Sequence, residues 1–293
     1  MKILLVNKYL YRKGGAETYF IKLGEYLKSL GNEVEYFGMA DERNCLRNRV
    51  EAYTENIDFH KKSLKHITYP FKIIYSVNAR KQIRKVLSDF KPDVVHLNNF
   101  NYQLTPSIIY EIKKRNIPIV YTAHDVQLVC PNHKLKNDYT DGLCRKCDGG
   151  KYFECVKNNC VHSSKIRSIL GAVEAWYYKL RHTYKMIDLT VCPSEFMEKE
   201  ISRNDDINGR TVTMYNFIDE IKPLGAECEN YVLYFGRYSE EKGISNLVKA
   251  AKKLSNIPFV FAGKGELENE VNSADNIKNV GFKTGDELRN IIE

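Results

Sequence analysis

No stretch of this chain is apolar enough to cross a membrane. The apolar run after Met1 covers only residues 3–6, far short of a signal-peptide core or of the ~20 residues of a membrane span. No Asn-x-Ser/Thr sequon occurs, and the eight cysteines are scattered rather than laid out as a small secreted scaffold. Both features point to a reducing compartment, so a cytoplasmic protein is expected. The G-x-G-x-x-G dinucleotide fingerprint is missing, which argues against an NAD enzyme. Also missing is any Asp-x-Asp pair, one means of holding Mg²⁺ against a diphosphate. No solenoid-type repeat or low-complexity tract interrupts the 293 residues, and aliphatic and aromatic side chains are plentiful. The chain is therefore expected to fold throughout.

A chain of this length can bury two cores. Short apolar runs alternate with helical periodicities, which predicts a mostly parallel sheet in each half. In the first half strands are expected at 3–6, 33–37, 94–97, 119–122 and 189–191, and helices at 17–30, 77–89, 106–115, 165–185 and 194–203. Residues 216–230, with Pro223 and Gly225, read as a hinge between domains at 1–215 and 231–293. The second half offers strands at 232–235, 259–262 and 277–280 and a helix at 245–254.

Two strand-to-helix turns carry the chemistry. Tyr231-Val-Leu-Tyr-Phe235 reads as a buried parallel strand and runs into Gly236-Arg237-Tyr-Ser-Glu-Glu-Lys242-Gly243. Gly236 permits a sharp turn, and two cations at the mouth of a βα unit can meet a diphosphate. The plainer alternative is two solvated cations beside Glu240 and Glu241. The other turn is Gly14-Gly15-Ala-Glu17, after the strand at 3–6. Adjacent glycines at a helix start expose backbone N–H groups at the positive end of the helix dipole.

With Tyr121-Thr-Ala-His124-Asp125, Cys192-Pro-Ser-Glu195, Asn216-Phe-Ile-Asp219 and Phe261-Ala-Gly263-Lys-Gly265-Glu, these two loops stand in one order from Met1 to the end. The chain resembles the retaining glycosyltransferases of family 4. That resemblance implies a GT-B fold, two Rossmann-like doubly wound domains facing a cleft. It implies a nucleotide-diphosphate sugar donor and a glycan or lipid-linked acceptor, as in surface polysaccharide or glycoconjugate synthesis. Gly14, Gly15, Arg237, Lys242 and Gly263 would hold the donor. Glu17 and Asp125 would lie on the acceptor side, and His124 would bind and orient near the donor sugar. His124 follows a strand at its carboxyl end, where doubly wound sheets place ligands; the alternative is a histidine packed in a loop. With fixed cations in place of an Asp-x-Asp metal site, transfer is expected to need no cofactor. A carboxylate nucleophile of the glycosidase kind is not expected.

Relatives in the family continue past this point into a segment with two glutamates separated by seven residues, so the second domain is expected to be incomplete. This leaves a second reading, a truncated and inactive binding protein with a GT-B first domain. A sugar-nucleotide epimerase of the same fold is a third.

Residues 130–162 form an insert with Cys130, Cys144, Cys147, Cys155 and Cys160. The Cys144/Cys147 and Cys155/Cys160 spacings suit one structural zinc site with Cys130 as substitute, and an insert poor in aliphatic residues needs a staple. Plain thiols and two disulfides remain as alternatives. Residues 60–88 carry eight Lys or Arg and no Asp or Glu, interleaved with Tyr69, Phe71, Ile73, Ile74 and Tyr75. Such a surface suits an anionic membrane face or a lipid-diphosphate acceptor; a solvated helix face over an ordinary core is the alternative. No nucleic-acid-binding module accompanies the charge.

Overall fold

The structure, a computed structural model, describes residues 1–56, 69–137, 142–218 and 229–292. Its contacts divide the chain into two units, Met1–Phe217 and Ile218–Glu293. Most of the hinge expected at 216–230 lies outside the described residues.

The first unit is built on β1 (Lys2–Val6), β2 (Glu33–Phe37), β3 (Val94–Leu97), β4 (Ile119–Thr122), β5 (Leu189–Cys192) and β6 (Thr211–Thr213). All pair in parallel in the order β2-β1-β3-β4-β5-β6. The chain steps from β1 outward to β2 and then returns to the other side of β1 with β3. That reversal is a topological switch point, and ligands of open α/β sheets bind beyond the carboxyl ends of such strands.

β1 shows why the sheet needs helices on both faces. Leu4 and Val6 belong to one buried cluster, Ile3 and Leu5 to another, so neither face is left to water. Helix α1 (Gly15–Ser29) covers the second face with Phe20 and Ile21. After α2 (Tyr69–Ile74), helix α3 (Val77–Phe90) covers the first with Ala79, Ile83, Val86, Leu87 and Phe90. Ser76 caps α3 by accepting the Ala79 N–H at 3.1 Å.

The remaining helices of the unit are α4 (Ile108–Lys113), α5 (Phe153–Lys157), α6 (Lys165–Leu180) and α7 (Glu195–Ile201). The single helix expected over 165–185 stops at Leu180. His182 turns into the left-handed region at φ 47°, and a 3₁₀ turn follows at Thr183–Met186. The break lets Thr183 and Tyr184 point inward, with Thr183 Oγ1 2.6 Å from Tyr110 Oη.

Part of the basic stretch is spent inside the fold. Glu111 on α4 is buried and binds Arg80 and Arg84 of α3, with Lys114 and Arg115 close by. Tyr75 packs against Tyr110 and Tyr177 instead of facing outward. Of the other cations, Lys61, Lys62 and Lys65 lie outside the described residues, whereas Lys81 and Lys85 are exposed on α3. No described helix is long and apolar enough to cross a membrane.

The second unit has a parallel sheet of β7 (Val232–Phe235), β8 (Phe259–Ala262) and β9 (Ile277–Asn279), in that order. Helices α8 (Ile244–Lys253), α9 (Glu268–Val271) and α10 (Gly285–Ile292) complete its described part. Ile244, Val248, Phe259, Phe261 and Val271 form its core. The expectation that β7 is buried is corrected: Val232 is 40% and Phe235 54% exposed. Among the described residues β7 is an edge strand paired only with β8, so one of its flanks stays open.

Candidate active site

The carboxyl ends of β1, β3 and β4 gather a polar cluster at the switch point of the first unit. Asn7 closes the end of β1 by accepting the Asn99 N–H at 3.0 Å, and the Lys8 N–H bonds Asn99 O at 2.7 Å. The Lys8 ammonium then donates to Asn101 at 2.9 Å and lies 5.1 Å from the centre of the Tyr102 ring. Burial and the neighbouring Lys13 push Lys8 down to about 8, against the pull of Glu17 and Asp125. It therefore remains mostly charged at neutral pH, a partly desolvated cation.

His124 stands just past β4. Its Nε2 is 2.9 Å from Asn98 Oδ1 and its ring meets Tyr19 edge-on at 5.3 Å. Burial pushes it down to about 4, the nearby Asp125 opposing. The imidazole is thus neutral near pH 7. With Asn98 Oδ1 as acceptor, Nε2 carries the hydrogen and Nδ1 keeps a lone pair for a partner. A base this weak suits orientation better than proton abstraction. Beneath it, His96 contacts Thr122 Oγ1 at 2.7 Å, and burial with the neighbouring His124 pushes it down to about 4 as well. Asn98 is fully buried, and among the described residues its Nδ2 has no hydrogen-bond partner.

Asp125 completes this rim. Burial opposes its ionisation, but His133, the Gln127 N–H and Lys8 outweigh burial and hold the carboxyl below its ordinary range. His133 Nδ1 lies 3.3 Å from both Asp125 Oδ2 and Asn101 Nδ2, and its ring stacks on Tyr102 at 5.8 Å. Tyr102 and His133 both have left-handed backbones, φ 61° and 62°. Non-glycine residues are held there at a cost, and such positions gather at binding sites. Behind them on α6, burial raises Glu174 to about 7, with His133 pulling the other way.

Gly14 and Gly15 behave differently from most glycines here. Gly14 caps α1 with extended backbone, φ −164°, and a Cβ on Gly15 would meet nothing within 4 Å. Neither strain nor crowding inside the protein requires a glycine at 15, so the open space lies on the outer side. Glu17, in the first turn of α1, is buried and near enough to Lys8 to act on its charge.

In the second unit Arg237 and Lys242 lie on the turn beyond β7. Gly236 makes the turn at φ 148° and its N–H bonds Ala262 O at 3.0 Å, tying the loop to the end of β8. The Arg237 side chain is 67% exposed, and its guanidinium lies 3.4 Å from the Glu241 carboxylate. Lys242 ends a 3₁₀ turn, Glu240–Lys242, which leads through left-handed Gly243 into α8. Gly263 has an internal reason to be glycine: a Cβ would sit 1.9 Å from Gly236 O. Its smallness lets the two loops pack.

The cysteines of the insert converge. Cys130, Cys144, Cys147, Cys155 and Cys160 line one cavity of about 10 Å³. Burial and the neighbouring sulfurs push Cys147 up to about 12 and raise Cys155 further. Among the described residues no three His, Cys, Asp or Glu side chains are already set to hold a metal ion. The insert is anchored to α7 and the turn after it by Arg145–Glu200 and Arg203–Asp148 ion pairs, and to α6 by Trp176 Nε1–H donating to Gly150 O at 2.9 Å.

Sequence reasoning singled out His124 and Asp125 but not Lys8, Asn98, Asn101, Tyr102 or His133, which the fold brings beside them. The signals were faint: a polar Asn98-Asn99 pair after a strand, and Cys130-Pro-Asn-His133 after another.

Two parallel α/β units, with glycine turns and polar groups at the carboxyl ends of their strands, define a GT-B type protein. The family comparison is specific. The Glycosyltransferase Family 4 model matches residues 13–221, and the Glycosyl transferases group 1 model matches residues 217–293. The chain belongs to glycosyltransferase family 4 and is a transferase by class. It is 25% identical over 280 residues to an uncharacterized 42.6 kDa protein in the cps region of Klebsiella pneumoniae, covering 90% of this chain and 68% of that one. Its fold is similar to that of sucrose-phosphate synthase from Thermosynechococcus elongatus, with a TM-score of 0.62 at 14% identity over 98% of this chain and 72% of that one. Anabaena HepE, solved in complex with UDP, gives 0.57 at 16% identity over 97% and 70%.

Proposed function

We propose that the protein moves a sugar from a nucleotide-diphosphate donor to a glycan or lipid-linked acceptor at a membrane surface, with retention at the anomeric carbon. The observation that carries this reading is the Arg237–Lys242 turn beyond β7, in a chain that belongs to this family. As the sugar leaves, negative charge grows on the diphosphate. Two fixed cations and the backbone N–H groups at the start of α8 meet that charge without a metal. HepE, a neighbour by fold, was solved with UDP, which supports a uridine nucleotide as the first donor to try.

On the first unit the neutral His124, with Nε2 held by Asn98, orients a sugar hydroxyl. Lys8, Asp125, His133 and Tyr102 form the acceptor rim: a stacking face, a cation and a carboxylate. The departing phosphate oxygen takes the acceptor proton, so the site needs no strong base. The exposed lysines of α3 bring the first unit to anionic lipid.

The donor clamp is tested by titrating UDP into wild type, Arg237→Ala and Lys242→Ala, and by following UDP release from UDP-sugars. Each substitution is expected to weaken transition-state stabilisation by about 2–4 kcal/mol, roughly 30- to 1,000-fold in rate. A chelator is expected to leave the rate unchanged. Wild-type kinetics in both variants, or strict Mg²⁺ dependence, would overturn the clamp.

A further inference from the structure

The insert brings five sulfurs from three separated stretches of chain, 130, 144–147 and 155–160, onto one small cavity. Its volume, about 10 Å³, fits a single water or ion. Apart from Val129, Pro131 and Leu135, the cavity is lined by the cysteines and by polar or charged residues.

Hydrogen-bond donors converge on these sulfurs. The backbone N–H groups of Asn132 and Leu135 lie near the Cys130 sulfur and favour its thiolate form, partly offsetting burial. Asn137 Nδ2 lies 3.2 Å from Cys144 Sγ. Neutral thiols are weak acceptors, whereas thiolates gain roughly twice as much from each donor. Such N–H···S contacts are the outer support that a thiolate metal centre requires. Two contacts run the other way: Cys130 Sγ donates to Asn132 Oδ1 at 2.9 Å, and the Cys155 and Cys160 thiols bond each other. These are contacts of protonated sulfurs, which deprotonation and metal binding would replace.

We propose that the insert is a structural zinc site with four thiolate ligands, Cys147, Cys155 and Cys160 with the fourth from Cys130 or Cys144. Binding releases the thiol protons to solvent and changes no oxidation state. The site would also steady the acceptor rim, because the His133 N–H bonds Cys130 O at 2.9 Å and the His133 ring faces Asp125.

Metal analysis of the full chain, purified under reducing conditions, is expected to give about one zinc per molecule. Exchange with Co²⁺ should produce intense thiolate-to-cobalt charge transfer and the visible bands of tetrahedral cobalt. Cys147→Ser and Cys155→Ser should each hold the metal at least about 10-fold more weakly. Cys45→Ser and Cys192→Ser, which lie outside the cavity, should keep it. Should a variant fail to fold, Co²⁺ titration of the wild-type chain decides alone. No zinc above background together with no cobalt bands would overturn the proposal. Cys130, Cys147 or Cys155 found in disulfides in a non-reducing peptide map would do the same.

Discussion

A histidine whose charged form is disfavoured by burial accepts a proton only weakly at physiological pH, so in the proposed reaction His124 suits holding a hydroxyl better than deprotonating it. His124 and His96 both titrate near 4 because burial strands their charge, and each would repel the other's proton. The sign of the linkage follows. Both folded values lie below the ordinary histidine value of 6.5, so the unfolded chain takes up protons first. Stability from these groups is complete above pH 6.5 and is lost as pH falls toward 4. We predict that His96→Asn, which removes one such group, flattens this acid limb by up to about 3 kcal/mol. Urea unfolding of wild type and variant across that range checks it; parallel profiles would show that His96 does not titrate as its burial demands. Residues like these were only half legible in the sequence. His124 stood out because it follows an apolar strand, whereas Lys8 and Asn98 gain their meaning only once β1 and β3 lie side by side.

At the scale of elements, the apolar runs were legible because parallel strands covered on both faces leave a continuous hydrophobic signature, as in Leu4-Leu5-Val6. What failed was the environment of β7, since the same signature cannot report whether a neighbouring strand lies alongside. Charge was only partly legible for a similar reason. Eight cations without an acid in 60–88 looked like one outward face, yet two of them, Arg80 and Arg84, are answered by Glu111, which arrives from α4. Burial opposes ionisation of Glu111, but Arg84 and Arg80 outweigh it and hold the carboxyl down to about 2. Glu111→Gln would leave two guanidiniums without their counter-charge at the α3–α4 junction. We expect it to destabilise the first unit by about 3 kcal/mol, the cost of breaking a buried pair from one side. Chemical denaturation followed by far-ultraviolet circular dichroism measures this. A change below about 0.5 kcal/mol, the ordinary effect of a surface substitution, would mean the pair is solvated.

For the whole molecule, a net charge of +8 matters most where it is not already spent. Arg80 and Arg84 are committed to Glu111, and Lys72 lies 3.9 Å from Glu55. The remaining exposed cations of α3, Lys81 and Lys85, project from the side of the helix opposite its buried residues. A cation near an anionic bilayer contributes about 1 kcal/mol before screening, so two of them change the partition coefficient by roughly 30-fold. We therefore predict that the protein co-sediments with phosphatidylserine-containing vesicles more than with neutral ones at low salt. The difference should shrink near 0.1 M salt, where the Debye length is about 10 Å. Lys81→Glu with Lys85→Glu should weaken binding while leaving thermal unfolding unchanged, because neither side chain is buried. Equal sedimentation with anionic and neutral vesicles at low salt would favour a soluble acceptor instead. It would leave the donor clamp untouched, since Arg237 and Lys242 belong to the other unit.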